Sequence, residues 1–97
     1  SADLELQGRV SDILARTGET WVVDGRFKGG WITREYGRPG EGVHALQMEL
    51  SNRGYLAEPD DKGVPGNWPV PYDPEYARPI RATLTEILKT ALHWART

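Results

Sequence analysis

Apolar residues recur at helical spacing near both ends of the chain. The first pattern predicts a helix over about residues 4–16, with Gly18 suited to the position just past its end. The second predicts a helix over about residues 79–95. Asp73 and Pro74 suit a helix start. Pro79 lacks the N–H that a helix interior uses, so we expect the regular helix to begin near residue 79, or a distortion at that point. The second helix carries one apolar stripe: Ile80, Leu84, Ile87, Leu88, Ala91 and Ala95.

Two runs between these helices predict β-strands. Residues 21–25, Trp-Val-Val-Asp-Gly, form a short β-branched run closed by a turn signal. Residues 43–50, Val-His-Ala-Leu-Gln-Met-Glu-Leu, place apolar side chains on both faces, as in a strand covered on two sides. The helix, strand, strand and helix together predict an α/β fold with sheet strands and flanking helices.

The remaining segments predict two long loops. Residues 26–42 form a glycine-rich loop, within which the β-prone residues 31–36 predict a short strand. Residues 57–74 form a proline-rich loop that carries five of the seven prolines and offers Trp68 and Tyr72 as anchors. The chain is thus interpreted as one domain or a piece of one.

Composition limits the classes of protein to which the chain belongs. Of its 97 residues, 12 are basic and 14 acidic, so the net charge of -2 does not favour binding to a polyanion. There is no cysteine, which excludes disulfides and thiolate metal sites, and no apolar run is long enough to span a membrane. A cytoplasmic location is expected. The apolar fraction of 38% is low, so a fragment or an obligate partner is considered from the outset.

The glycine-rich loop carries the chain's densest group of cations. Glycines allow close backbone approach, and arginine offers a planar fork that fits a carboxylate or phosphate, so the loop predicts a small-anion site. Solvated charges on flexible turns are the structural alternative. Interleaved aromatic residues also resemble a stacking platform for single-stranded nucleic acid, but the acidic chain makes this the weaker hypothesis. The cations are Arg26, Lys28, Arg34 and Arg38.

Glu49 lies within the apolar run 43–50, where burial without a partner is costly. Pairing with a nearby arginine is the structural interpretation, and a general base at the edge of a cleft is the functional one. The two histidines, His44 and His93, are far apart, so the sequence holds no complete zinc site. It also holds no phosphate-binding loop and no serine or cysteine nucleophile motif.

Two consecutive motifs resemble a known family. "DGRFKGGWITREYGRP" followed by "GVHALQMELSNRGYL" is similar to the C-terminal part of the N-formylglutamate amidohydrolases, and the last helix also fits. The resemblance implies a zinc hydrolase with an α/β fold related to zinc carboxypeptidases. It further implies hydrolysis of N-formyl-L-glutamate to formate and L-glutamate, a step in histidine degradation.

The same resemblance implies roles for individual residues. Glu49 takes the position of the general base, while Arg26, Arg34 and Lys28, in that order, are expected to hold the substrate carboxylates. Thr33 and Tyr55 are further candidates for substrate contacts. The Zn²⁺ ligands are expected earlier in the family's chain, so no metal ligand is assigned here. We therefore interpret the chain as a C-terminal fragment that is inactive alone.

Several expectations about partners follow from this interpretation. The fragment is expected to pair with the remainder of its catalytic domain, and self-association through exposed apolar surfaces is also expected. Two other functions stay open at this stage. One is a related amidohydrolase that acts on another N-acyl amino acid, and the other is a non-catalytic module for a small anion or single-stranded nucleic acid.

Overall fold

The computed structural model of the chain describes residues 2–25, 29–57, 59, 66 and 70–97. Two long helices, a short helix and two single 3₁₀ turns form its regular structure. In chain order these are α1 (Leu4–Thr17), α2 (Trp31–Tyr36), the 3₁₀ turn Pro39–Glu41, the 3₁₀ turn Asn52–Gly54, and α3 (Pro74–Ala95). Across the described ranges no helix combines the length and apolar character needed to cross a bilayer.

Helix α1 has capping residues at both ends. The Asp3 carboxylate accepts a hydrogen bond from the Glu5 backbone N–H at 2.8 Å, which satisfies one of the free donors of the first turn. At the other end Gly18 has a φ of 76°, the left-handed conformation that commonly terminates a helix. These local signals place α1 close to the range predicted from its apolar spacing.

Helix α3 begins at Pro74, earlier than the predicted start near residue 79. The Asp73 carboxylate accepts from the Glu75 N–H at 2.9 Å, and Pro74 occupies the first turn, where its missing N–H costs nothing. Pro79 lies inside the helix, which continues through it. The cap and the burial of Ala77 in the first turns outweigh the hydrogen bond that Pro79 removes.

The core lies between α1 and α3. Helix α1 contributes Leu6 and Ile13, while α3 contributes one buried stripe: Ala77, Ile80, Thr83 and Ile87. The Thr83 hydroxyl donates to the Pro79 carbonyl at 3.2 Å, so the polar atom in this stripe has a partner. An exposed ion pair joins Arg16, in the last turn of α1, to Glu86 in the middle of α3 at 3.0 Å.

The predicted α/β fold is wrong for the part of the chain that the structure describes, because neither strand forms there. A strand persists only when a neighbouring strand pairs with its N–H and C=O groups. The β-type pairing present is a single bridge between Arg38 and Val43. Beyond it, residues 44–50 belong to no strand in the described part of the chain, and Leu46 is 45% exposed. In residues 21–25 the φ of Asp24 is 48°, which interrupts any extended run.

The short strand predicted over 31–36 is also wrong. These residues form α2, in which the Gly37 N–H donates to the Thr33 carbonyl at 3.1 Å. Trp31 and Tyr36 pack edge to face across the helix surface, with ring centroids 5.9 Å apart. The backbone is extended at Gly30 and again at Gly37, so the helix is confined to the six residues between them. A β-prone composition therefore yields to local turn geometry.

Candidate functional site

The side chain of Gln47 connects α2 to the segment that contains Glu49. Its Oε1 accepts a hydrogen bond from the Gly30 backbone N–H at 2.6 Å, and the Thr33 hydroxyl lies 3.4 Å from the same oxygen. Its Nε2 donates to Glu49 Oε1 at 2.7 Å. We name this set the Gln47 cluster: Gly29, Gly30, Thr33, Arg34, Gln47 and Glu49.

The Gly29–Gly30 turn brings α2 close to Gln47. Gly29 has a φ of 86°, a conformation that favours glycine. A Cβ on Gly30 would lie 3.3 Å from Gln47 Oε1, so a side chain there would press on the hydrogen bond. The two glycines of the sequence pattern therefore permit the close approach on which the cluster depends.

Arg34 lies in α2 and contacts the Gly29–Gly30 turn to which Gln47 also bonds. Its Nη1 donates to the Gly29 carbonyl at 3.1 Å, and its backbone N–H donates to the Gly30 carbonyl at 3.2 Å. A guanidinium has five N–H donors in a planar fork, so the bond to Gly29 uses one and leaves others for an anion. Arg34 is exposed to solvent. The cluster thus combines an accessible cation with an accessible carboxylate.

Glu49 is exposed rather than buried in the described part of the chain, contrary to the expectation from its apolar neighbours. Among the described residues, its carboxylate accepts a hydrogen bond from the amide of Gln47, where pairing with an arginine was expected. Gln47 and Glu49 are two residues apart and point to the same side, as the alternation of the sequence predicted. An accessible carboxylate held by one neutral donor can accept a proton from a small molecule.

The other predicted site residues have different positions. Arg26 and Lys28 lie outside the described residues. Tyr55 follows the 3₁₀ turn Asn52–Gly54, which packs on α3, since a Cβ on Gly54 would lie 3.7 Å from the Ile80 side chain. Arg38, a further cation of the loop, lies 3.7 Å from Glu41 and 4.0 Å from Glu35. Arg38 therefore fits the structural alternative of a solvated charge.

Gln47 is the functional candidate that the sequence did not single out. It lies in the quoted motif and shares a face with Glu49, which was the available signal. Its link to Gly30 depends on a turn whose shape is not readable from composition. An open groove between α1 and α3, lined by Arg9, Lys89 and His93 among others, contains none of the predicted site residues that the structure describes.

His44 lies next to the helix pair. Its Nδ1 accepts a hydrogen bond from the Asp3 backbone N–H at 3.0 Å, and its ring packs edge to face on Trp94 at 4.6 Å between centroids. A nitrogen that accepts this bond is not available to a metal. Among the residues that the structure describes, no three His, Cys, Asp or Glu side chains gather in a way that could hold a metal ion.

Comparison with known proteins gives two concordant findings. The family model described as N-formylglutamate amidohydrolase matches residues 1–56, which include the whole Gln47 cluster. The chain is 37% identical over 95 residues to an N-formylglutamate deformylase of Pseudomonas putida, covering 97% of this chain and 33% of that relative. It is 38% identical over 97 residues to an N-formylglutamate deformylase of Pseudomonas aeruginosa, covering 99% and 34%.

The chain spans about a third of the length of these curated relatives. No solved structure matches it.

Proposed function

Because the chain belongs to the N-formylglutamate amidohydrolase family, we propose that it forms part of an enzyme that hydrolyses N-formyl-L-glutamate. In this proposal the chain supplies the general base and contacts to the substrate carboxylates, and the products are formate and L-glutamate. The supporting observation is the Gln47 cluster, in which Arg34 and Gln47 bond to neighbouring glycines of one turn and Gln47 holds the exposed Glu49 carboxylate.

The proposed role of Glu49 is proton transfer. Its carboxylate accepts a proton from the water that attacks the formyl carbon, and it then delivers that proton to the departing amine nitrogen. The C–N bond of the formamide breaks, oxygen from water enters formate, and glutamate leaves with its amino group. The exposure of Glu49 supports this role, since a base must reach both the water and the amine.

The substrate of this reaction carries two carboxylates, which require cationic partners. Arg34 can offer a planar pair of N–H donors, and the Thr33 hydroxyl belongs to the same cluster, 3.4 Å from Gln47 Oε1. Arg26, Lys28 and Tyr55 stay in the proposal as further contacts on the strength of the motif that they share with the family. Together these groups account for a cation-rich glycine loop in an acidic chain.

Zinc dependence is part of the proposal through the family resemblance alone. The described residues do not fit a metal site, since they form no ligand cluster. We therefore assign no zinc ligand to this chain and expect the ligands elsewhere in the complete enzyme. Zn²⁺ would supply Lewis-acid activation of water there. A place in histidine degradation, in the cytoplasm, is proposed on the same basis.

Replacing Glu49 with glutamine tests the proposed function in the complete protein. Glu49→Gln keeps the size of the side chain but removes its ability to take a proton. We expect formate release from N-formyl-L-glutamate to fall by about 10²–10⁴-fold, the range that general base catalysis contributes. Steady-state kinetics with an assay for free formate would measure the loss.

A matched control is Glu41→Gln. Glu41 is an exposed acid in the 3₁₀ turn Pro39–Glu41, and its carboxylate lies near Arg38 rather than in the Gln47 cluster. This variant should keep the original rate. A near-normal rate in Glu49→Gln would remove Glu49 from the mechanism. Comparing N-formyl-L-glutamate with N-formyl-L-aspartate and N-acetyl-L-glutamate would then separate a deformylase from an amidohydrolase with another acyl-amino-acid substrate.

A further inference from the structure

The amide of Gln47 has a fixed orientation in the cluster. A backbone N–H can only donate, so the atom that faces Gly30 at 2.6 Å must be the amide oxygen. The NH₂ group then faces Glu49 at 2.7 Å, where an ionised carboxylate can only accept. Each end of the amide therefore meets the partner that suits it, and reversing the amide would break both bonds.

These two bonds anchor Glu49 to the backbone of the α2 turn. A glutamate side chain has three rotatable bonds, and an exposed one samples many rotamers unless a partner holds it. Gly30 is in turn held by α2, because its carbonyl accepts from the Arg34 N–H at 3.2 Å. The position of the carboxylate thus depends on one amide and one short helix.

The same turn also holds the cation of the cluster. Arg34 Nη1 donates to the Gly29 carbonyl, and Gln47 accepts from the next residue, Gly30. Gln47 consequently sets the separation between the Glu49 carboxylate and the Arg34 guanidinium. In the proposed hydrolase, this separation must match the distance between the amide that is cleaved and the substrate carboxylate that Arg34 binds. A small displacement of either group would lower the reaction rate.

We propose that Gln47 is a positioning residue that aims the Glu49 base and fixes its distance from Arg34. This proposal rests on the function proposed above, since it takes Glu49 as the base. Gln47 does not touch the reacting atoms and acts through Glu49. Its loss should therefore reduce kcat more than it raises KM.

The variant Gln47→Glu, made in the complete protein, tests whether Gln47 positions Glu49 or only stabilises the Gly29–Gly30 turn. The variant keeps an oxygen for the Gly30 N–H but replaces the donor to Glu49 with a second carboxylate. We expect kcat to fall by about 10–100-fold, the range typical for loss of a residue that orients a group of the active site. We also expect the acidic limb of the pH–rate profile to move up by about one pH unit, because like charges hold a proton more tightly.

A second variant, Gln47→Met, removes both hydrogen bonds without adding charge. It should lower kcat by at least about tenfold while leaving the acidic limb within a few tenths of a pH unit. Gln7→Glu is the matched control, because it makes the same chemical change on α1, where the Gln7 amide donates to the Ala2 carbonyl. That control should keep both kcat and the pH profile.

The outcomes distinguish failure of this inference from failure of the proposed function. If Glu49→Gln retains formate release, the proposed base is wrong and the role of Gln47 falls with it. If Glu49→Gln loses activity while Gln47→Glu keeps the original kcat and pH profile, Gln47 only anchors the turn. Original kcat in Gln47→Met would also overturn the proposal.

Discussion

At the scale of single residues, two glycines of α1 have opposite effects on the helix. Gly8 lies inside the helix with no atom within 4 Å of the position that a Cβ would take. Gly18 ends the helix with a φ of 76° and also has open space around it. A methyl group would therefore fit at both positions, and the difference lies in the backbone, which is helical at Gly8 and left-handed at Gly18.

Replacing each glycine with alanine should change stability in opposite directions. Gly8→Ala is expected to raise the free energy of unfolding by about 0.5–1 kcal/mol, because alanine loses less backbone entropy in a helix. Gly18→Ala is expected to lower it by about 1–2 kcal/mol, the cost of a left-handed conformation with a Cβ. Urea unfolding followed by circular dichroism would measure both. A loss of stability in Gly8→Ala would contradict the helix boundaries described above.

At the scale of elements, the packing of α3 on α1 decides which apolar residues stabilise the fold. The apolar pattern of the sequence placed Ile87 and Leu88 in one stripe, because both recur at helical spacing from Ile80 and Leu84. In the structure Ile87 is 4% exposed and Leu88 is 67% exposed. Successive helical positions differ by about 100°, so the narrow contact with α1 takes only one of them.

Alanine at these neighbouring positions should therefore give different results. Ile87→Ala is expected to lower the free energy of unfolding by about 2–4 kcal/mol, through lost burial and the cavity left behind. Leu88→Ala is expected to change it by less than about 0.5 kcal/mol, as for an exposed position. Thermal or urea unfolding of the two variants would test the packing. Equal losses would show that Leu88 is covered by another part of the protein.

The sequence predicted structure that depends on local signals, and it failed where structure depends on contacts between distant residues. Although the predicted start of α3 near residue 79 gave too little weight to the Asp73 cap and Pro74, the helices α1 and α3 were predictable because apolar spacing and the Gly18 end of α1 are local signals. Residues 43–50 were not, because a strand depends on a partner that local sequence does not describe. In the site, the role expected of Glu49 comes from its motif and stays a prediction, while its bond to Gln47 depends on a turn in three dimensions.

At the scale of the whole molecule, the chain is elongated and its core is thin. Its radius of gyration is 16.2 Å, against about 12–13 Å for a compact domain of this length. Large apolar side chains on α2 and on residues 43–50, among them Trp31 and Met48, are exposed. Exposed apolar surface of this kind favours association with other protein surfaces, and the expected self-association stays a prediction.

The isolated 97-residue chain is expected to release no formate above background. The proposed base, Glu49, and the cation Arg34 are both exposed, so water screens their charges and competes for their hydrogen bonds. A general base alone contributes about 10²–10⁴-fold, which is far from the acceleration that amide hydrolysis requires. The measurement compares the chain with its own Glu49→Gln variant at equal concentration. Equal rates would mean that the turn is one part of a larger active site, whereas a faster original chain would mean that this turn hydrolyses the substrate by itself.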